Sequence, residues 1–370
     1  MDIRVQRHAQ VLVDYSLKIK KGDRFVIVGS TEAAPLIRET YRLGLRRGAF
    51  TDVAMSLPGI EWIYYTEANK EQIARTSPLT KVVWEKFNKV LFVGGDHNTR
   101  ALAGVPVEKL KTKMKAFNPI RSAFYKRSDQ GTAQWLLTTH PTVAQAQEAN
   151  MSLERYQDFV YAACFCDKAN PVQQWKELAH KQDLLIKKMN LIKEIHIVGP
   201  GTDLRASLVG RRWCNSYGSH NMPDGEVFTG PVENSVNGHV RFSFPGVYLS
   251  QDIEDISLEF KNGVVVKAKA TKGQDLLERL LDTDAGARRL GELAIGTNYG
   301  IKEFTKKILF DEKLGGTVHM AIGYGYAKDT GSKNKSIIHW DMIADMKKGG
   351  KIFGDGVLIY ESGRFLKGWL

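Results

Sequence analysis

The chain has 370 residues, more than one hydrophobic core usually organises, so two domains are expected. Its 43% hydrophobic and 25% charged content is that of an ordinary soluble globular protein, and no apolar run approaches the roughly 20 residues of a membrane span. The net charge of +12 is spread over helix-like stretches such as Lys176-Glu177 and Lys187-Lys188, without the interleaved aromatics of a nucleic-acid surface, so neither a membrane nor a nucleic acid is expected as partner.

Met1 to His8 bring charges with no apolar core behind them, so no secretory signal is expected. From Asp23 to Ala49 the order is strand, turn, helix. Arg24-Phe-Val-Ile-Val-Gly is a short apolar run, Ser30-Thr-Glu offers a cap, and Leu36, Thr40, Leu43 and Arg47 keep helical spacing up to Gly48. Thr51–Met55 and Lys89–Gly95 read as further strands, with helical patterns over Val107–Phe117 and Thr142–Cys164. This alternation implies a parallel sheet with helices on its faces. Gly29-Ser-Thr-Glu-Ala-Ala lacks the Gly-x-Gly-x-x-Gly turn and no Gly-Lys-Ser/Thr occurs, so nucleotide binding is not expected. The cysteines, Cys164, Cys166 and Cys214, are odd in number, and Cys-Phe-Cys lacks the spacing of a zinc knuckle or a redox motif. A reducing cytoplasm fits these features.

Asn170-Pro171 opens a long helical run to Asn190, with Trp175, Leu178, Leu185 and Met189 at compatible spacing. From Ile192 onward short strands dominate, as in Ile195–Val198, Asp203–Leu208 and Val240–Phe244. Asn262-Gly263, between Ile256–Phe260 and Val264–Ala268, is a strong hairpin signal. Asp275–Leu290 is the one clearly helical stretch here, and Lys351–Phe353 with Val357–Tyr360 leads into a final hairpin-like pattern. The expected fold is an α/β domain with a parallel-rich sheet over residues 1–190, then a β-rich (α+β) domain over residues 191–370.

The sharpest chemical signal runs from Gly316 to Met342. Two apolar, β-branched runs each carry a histidine, His319 in Thr-Val-His-Met-Ala-Ile-Gly and His339 in Ile-Ile-His-Trp-Asp. Side chains alternate along a strand, so His339 and Asp341 point one way and Trp340 the other. Such a pair, with a third ligand from a neighbouring strand, is an economical metal site on rigid elements. Two glutamates add to it: Glu226 in Pro-Asp-Gly-Glu-Val-Phe-Thr, and Glu292 in Gly-Glu-Leu-Ala-Ile-Gly. Three carboxylates and two imidazoles exceed what one tetrahedral zinc requires. They suit two divalent ions about 3.5–4 Å apart, with a bridging carboxylate and a bridging hydroxide.

These motifs, with His-Met-Ala-Ile-Gly-Tyr-Gly-Tyr between them and in this order, resemble the thermophilic aminopeptidase (aminopeptidase T) family of metallopeptidases. The resemblance spans the chain, including the Lys21-Gly-Asp-Arg-Phe-Val-Ile opening, although its specific motifs lie in the second half. It implies that Glu226, Glu292, His319, His339 and Asp341 are the metal ligands, and that Tyr326, seven residues after His319, is the active-site tyrosine. It further implies a metallo-aminopeptidase acting on peptides with a free N-terminus, two divalent ions per chain (zinc, cobalt or manganese), a catalytic role for Tyr326, Glu226 and Glu292, and a homodimer. The segment between Tyr326 and Ser336 is short for the family, which bears on the substrate pocket rather than on the metal site.

Two other readings compete. His-x-Asp with a distant histidine is the facial triad of non-haem Fe(II) oxygenases, but that assignment leaves Glu226 and Glu292 without work. A non-catalytic binding protein with a structural metal would close its site with four ligands, and the surplus carboxylate argues against it.

Overall fold

A computed structural model describes residues 2–248 and 251–369. The chain divides into two compact units, Met1–Gln173 with Gly218–Met222, and Gln174–Tyr217 with Pro223–Leu370.

In the first unit, five strands form one sheet in the order Phe50–Ser56, Arg24–Ser30, Lys89–Gly94, Gln134–Thr139, Asn221–Met222. Every neighbouring pair is parallel, as the strand–helix alternation predicts. The central Arg24–Ser30 strand buries Phe25, Val26 and Ile27, and helix Ala34–Arg46 buries Leu36, Ile37 and Thr40. Gly44 lets that helix approach the sheet, because a Cβ there would lie 2.7 Å from Thr51 Oγ1. Two helical expectations are corrected in their limits. Thr142–Cys164 is two helices, Val143–Glu148 and Leu153–Ala163, broken where Asn150 adopts φ 55° and Ser152 caps the second. The Val107 helix runs on to Asp129, with Pro119 inside it.

The second unit holds two large antiparallel sheets and a two-stranded one, Gly246–Tyr248 with Gln251–Ile253. The larger has eight strands, in the order Val264–Lys269, Ile256–Lys261, Asn237–Phe242, Thr202–Ser207, Glu194–Gly199, Lys351–Gly354, Val357–Glu361, Arg364–Phe365. Its first hairpin turns at Asn262 and Gly263, with φ of 51° and 77°, the left-handed pair that Asn-Gly favours. The smaller sheet has five strands, His339–Asp345, Thr317–Gly323, Leu290–Gly296, Glu226–Thr229 and Cys214–Ser216. One hydrophobic core serves both, from Ile195, Ile197, Leu204 and Leu258 to Leu293, Val318, Met320 and Trp340. Among these elements helix Gln274–Leu281 is shorter than Asp275–Leu290 suggests, because Leu290 already begins a strand.

The division of the chain differs from the break at residue 190 drawn from sequence. Helix Pro171–Met189 places Leu185 and Met189 in the core of the second unit. Its Gln182 donates to the carbonyl of Glu226 (2.7 Å) and to Thr297 Oγ1 (3.1 Å). Residues 218–222 return to extend the first sheet, where His220 O accepts from Leu137 N. Among the described residues no helix is long and apolar enough to cross a membrane.

Candidate metal centre

The five-stranded sheet positions the candidate ligands by register. Glu292 pairs with Ala321, and Ala321 with Asp341; His319 pairs with Ala294, His339 with Gly323, and Glu226 with Gly296. Cross-strand partners share a face, so all five candidate ligands project from one side. The positions between them are alanine and glycine, which leaves the space that the larger side chains converge into. The opposite face carries Val227, Leu293, Ile295, Val318, Met320, Trp340 and Met342 into the core.

A bulge aligns the Glu292 strand. Leu290 pairs with Ile322 and Glu292 with Ala321, so Gly291 is an extra residue. Strict alternation would put Leu290 beside Glu292, and the bulge returns it to the apolar side. Only glycine fits at 291, since a Cβ would lie 2.3 Å from the carbonyl oxygens of both Gly323 and Tyr324.

The convergence has a definite arrangement. Glu226, Glu292 and His319 offer one ligand atom each within 4.8 Å of one another, and so do Glu292, His339 and Asp341. Glu292 belongs to both groups. Its Oε1 lies 3.5 Å from His319 Nε2 and its Oε2 lies 3.4 Å from His339 Nε2. Glu226 Oε2 completes one side, 3.1 Å from His319 Nε2, and Asp341 Oδ2 the other, 3.5 Å from His339 Nε2. His339 Nδ1 sits 2.7 Å from the carbonyl oxygen of Tyr324. Donation there fixes the tautomer and leaves Nε2 as the free ligand atom, a common support for metal-bound imidazoles.

The donor set fits divalent ions. Glu226 Oε2 and Asp341 Oδ1 are buried and make no hydrogen bond among the described residues, a cost that a bound cation would remove. Burial pushes the Glu226 carboxyl up, but Lys313 and His319 outweigh it and hold it at about 2. The Glu292 carboxyl is raised by burial, with Asp341 and Glu226 adding to the shift against the pull of His319 and His339. Burial acts to lower both histidines, yet the carboxylates prevail and raise His319 and His339 above the ordinary value of 6.5. The carboxylates thus favour protonated imidazoles in the metal-free centre, and an incoming ion must displace those protons. Apparent metal affinity should accordingly rise with pH until the raised imidazole pKa values are passed, with net proton release on binding. Calorimetric titration in buffers of different ionisation enthalpy checks this, and uptake with no proton release would contradict it.

Tyr326 follows the His319 strand, where Gly323 at φ 97° turns the chain. Its ring lies 5.1 Å from His339, 5.7 Å from Tyr324 and 5.8 Å from Phe228. The residue is 36% exposed, but burial of the phenol, with the charges of Glu292 and Asp341, keeps its pKa well above the ordinary tyrosine value. The hydroxyl is thus a retained donor beside the carboxylates. Arg212 secures the short helix that follows, Ala327–Thr330, by donating to the carbonyls of Lys328, Asp329 and Thr330.

Several neighbours of the centre were not picked out from sequence. Lys313 is buried, with its Nζ 2.5 Å from Glu226 Oε1, 2.8 Å from Glu312 Oε1 and 3.7 Å from Asp224 Oδ1. Glu312 is pushed up to about 7, by burial first and then by Asp341 and Glu226, against the charge of Lys313. The available signal was a Phe-Asp-Glu-Lys-Leu run just ahead of the His319 strand, three consecutive charges next to an apolar stretch.

Comparison with known proteins places the chain. Residues 1–365 match the family described as thermophilic metalloprotease (M29). Aminopeptidase T of Thermus aquaticus is 27% identical over 385 residues, covering 90% of each chain. The structure of AmpT from Thermus thermophilus superposes with a TM-score of 0.86 at 24% identity, covering 98% of this chain and 99% of that one. A dioxygenase from Pseudomonas putida shares the fold more distantly, with a TM-score of 0.58 at 14% identity over 99% of this chain and 98% of its own.

Proposed function

The chain belongs to the thermophilic metalloprotease (M29) family, and from that premise we propose that it is an aminopeptidase working through two divalent ions. One observation carries the two-ion reading: Glu292 is shared by two ligand groups, with a different carboxylate oxygen turned to each histidine. Glu292 would then help to hold both ions. Glu226 with His319 completes one position, and His339 with Asp341 the other. The names of the relatives, among them aminopeptidase T and aminopeptidase 2, support an N-terminal peptide bond as the target.

The ions, when bound, supply Lewis-acid polarisation of the scissile carbonyl and a water of lowered pKa. The protein's own groups do the rest. Tyr326 Oη donates a hydrogen bond to the oxygen that gains charge as the carbonyl is attacked. Glu226 is ill suited to carry protons, because Lys313 occupies Oε1 and holds the carboxyl at about 2. Glu292 has both oxygens committed. Glu312, raised by burial and 2.8 Å from the Lys313 ammonium that also holds Glu226, is a further carboxylate beside the centre.

The dioxygenase that shares the fold gives the facial-triad reading its one point of support, since His319, His339 and Asp341 alone would make such a set. Glu226 and Glu292, 3.1 and 3.5 Å from His319 Nε2, would be surplus to it. Turnover of leucine p-nitroanilide, lost to a chelator, regained with metal and unchanged without oxygen, would establish the hydrolytic reading. No turnover of any peptide or anilide by metal-loaded protein would overturn it.

The ion count can be tested separately. Metal analysis after dialysis should give two ions per chain, and His339→Ala should retain about one, because only one position loses its imidazole. A fully active wild type with one ion would leave only a mononuclear site. The proposal extends, on family resemblance, to zinc, cobalt or manganese as the ions and to a homodimer, and, on the three free cysteines, to a reducing cytoplasm.

A further inference from the structure

We propose that Lys313 is a positioning residue that makes Glu226 a one-oxygen ligand, so that the two metal positions are unequal and Glu292 alone can bridge them. The inference rests on the two-ion reading above. Glu226 and Glu292 enter the site from adjacent strands, both carboxylates are buried, and both face His319 Nε2. By type and depth either could chelate or bridge. They differ in what else they touch. Lys313 Nζ lies 2.5 Å from Glu226 Oε1, which takes that oxygen out of the ligand set and leaves Oε2 aimed at His319. Both Glu292 oxygens face imidazoles instead.

The lysine is itself held. Glu312 Oε1 at 2.8 Å and Asp224 Oδ1 at 3.7 Å accompany Glu226 around its ammonium, and the residue is 2% exposed. Asp224 is anchored in turn, accepting from Gly225 N and Ser216 Oγ. The backbone of Glu226 is tied to Gln182. Lys313 is thus held by three carboxylates at once. A buried ammonium in such a cage fixes a carboxylate rotamer as well as its charge.

The test combines a structure with a titration. A crystal structure of the zinc-loaded wild type should show Glu226 bound through Oε2 alone, with Oε1 kept by Lys313. Chelation through both oxygens, or a lysine turned away, would overturn the proposal, and this arm needs no variant. Cobalt(II) titration followed by visible absorption should show two ions in the wild type. In Lys313→Met one ion should bind about 10–100-fold more weakly, the usual cost of removing a group that orients a ligand, with the spectrum of the other unchanged. Lys313→Arg should restore much of the loss, and Lys313→Met should add nothing to metal loss in a Glu226→Gln background. Equal weakening of both ions, or no weakening, would overturn the proposal while leaving the two-ion reading intact. A wild type that takes up one cobalt would overturn both.

Discussion

Glu292→Gln should leave a folded protein without measurable peptidase activity. The loss should exceed the ~10²–10³ in turnover typical of removing one oxyanion-hole donor, because this carboxylate would serve both proposed metal positions. An amide supplies neither the negative charge nor a second ligating oxygen, so both ions lose a donor at once. The fold should tolerate the change. In the metal-free protein burial and the neighbouring carboxylates already disfavour the charged form of Glu292, so a neutral side chain of the same shape costs the apo state little. The wild type should gain thermal stability as metal is added, by mass action on the native state, and the variant should gain little. Glu226→Gln should also abolish turnover while keeping more metal, since it touches one position only. Circular dichroism, metal analysis and hydrolysis rates on the purified variants decide the matter. A folded Glu292→Gln enzyme near wild-type turnover would remove this residue from the site.

Much of the architecture was legible because it rests on local periodicity. The apolar runs at Arg24, Lys89 and Ile195 are strands, Asn262-Gly263 is a left-handed turn, and His339 and Asp341 share a strand face. What escaped depends on long-range placement. Helix Pro171–Met189 has the same apolar spacing whichever core it joins, so its sequence could not say that Leu185 and Met189 pack with the second unit. The three short helices between Ile60 and Lys86 bury at most Ile73, and without a buried face they leave no periodic signature. The placement of Glu292 between the two histidines depends on register, which only the Gly291 bulge and the Ala321 pairing reveal. Lys313 and Glu312 belong to no motif in the sequence. A lysine between apolar strands is ordinarily exposed, and only three convergent carboxylates explain this one.

The choice of Tyr326 over Tyr324 rested on family spacing, and the geometry now gives it a physical basis. Both rings are partly exposed and stand 5.7 Å apart. They differ in what surrounds them. Tyr326 packs against His339 and Phe228, and Glu292 and Asp341 act on its hydroxyl, holding the proton in place. Tyr324 serves through its backbone carbonyl, which accepts from His339 Nδ1 and does not depend on the phenol. Tyr326→Phe keeps the ring packing and removes one donor. It should lower kcat by about 10²–10³, the usual cost of an oxyanion donor, with little change in KM or in metal content, since the bond is made mainly in the transition state. Tyr324→Phe leaves the carbonyl where it is and should be mild in every parameter. Loss of metal rather than rate in Tyr326→Phe would mean that the phenol ligates or orients an ion. A large loss from Tyr324→Phe with a small one from Tyr326→Phe would exchange the two assignments.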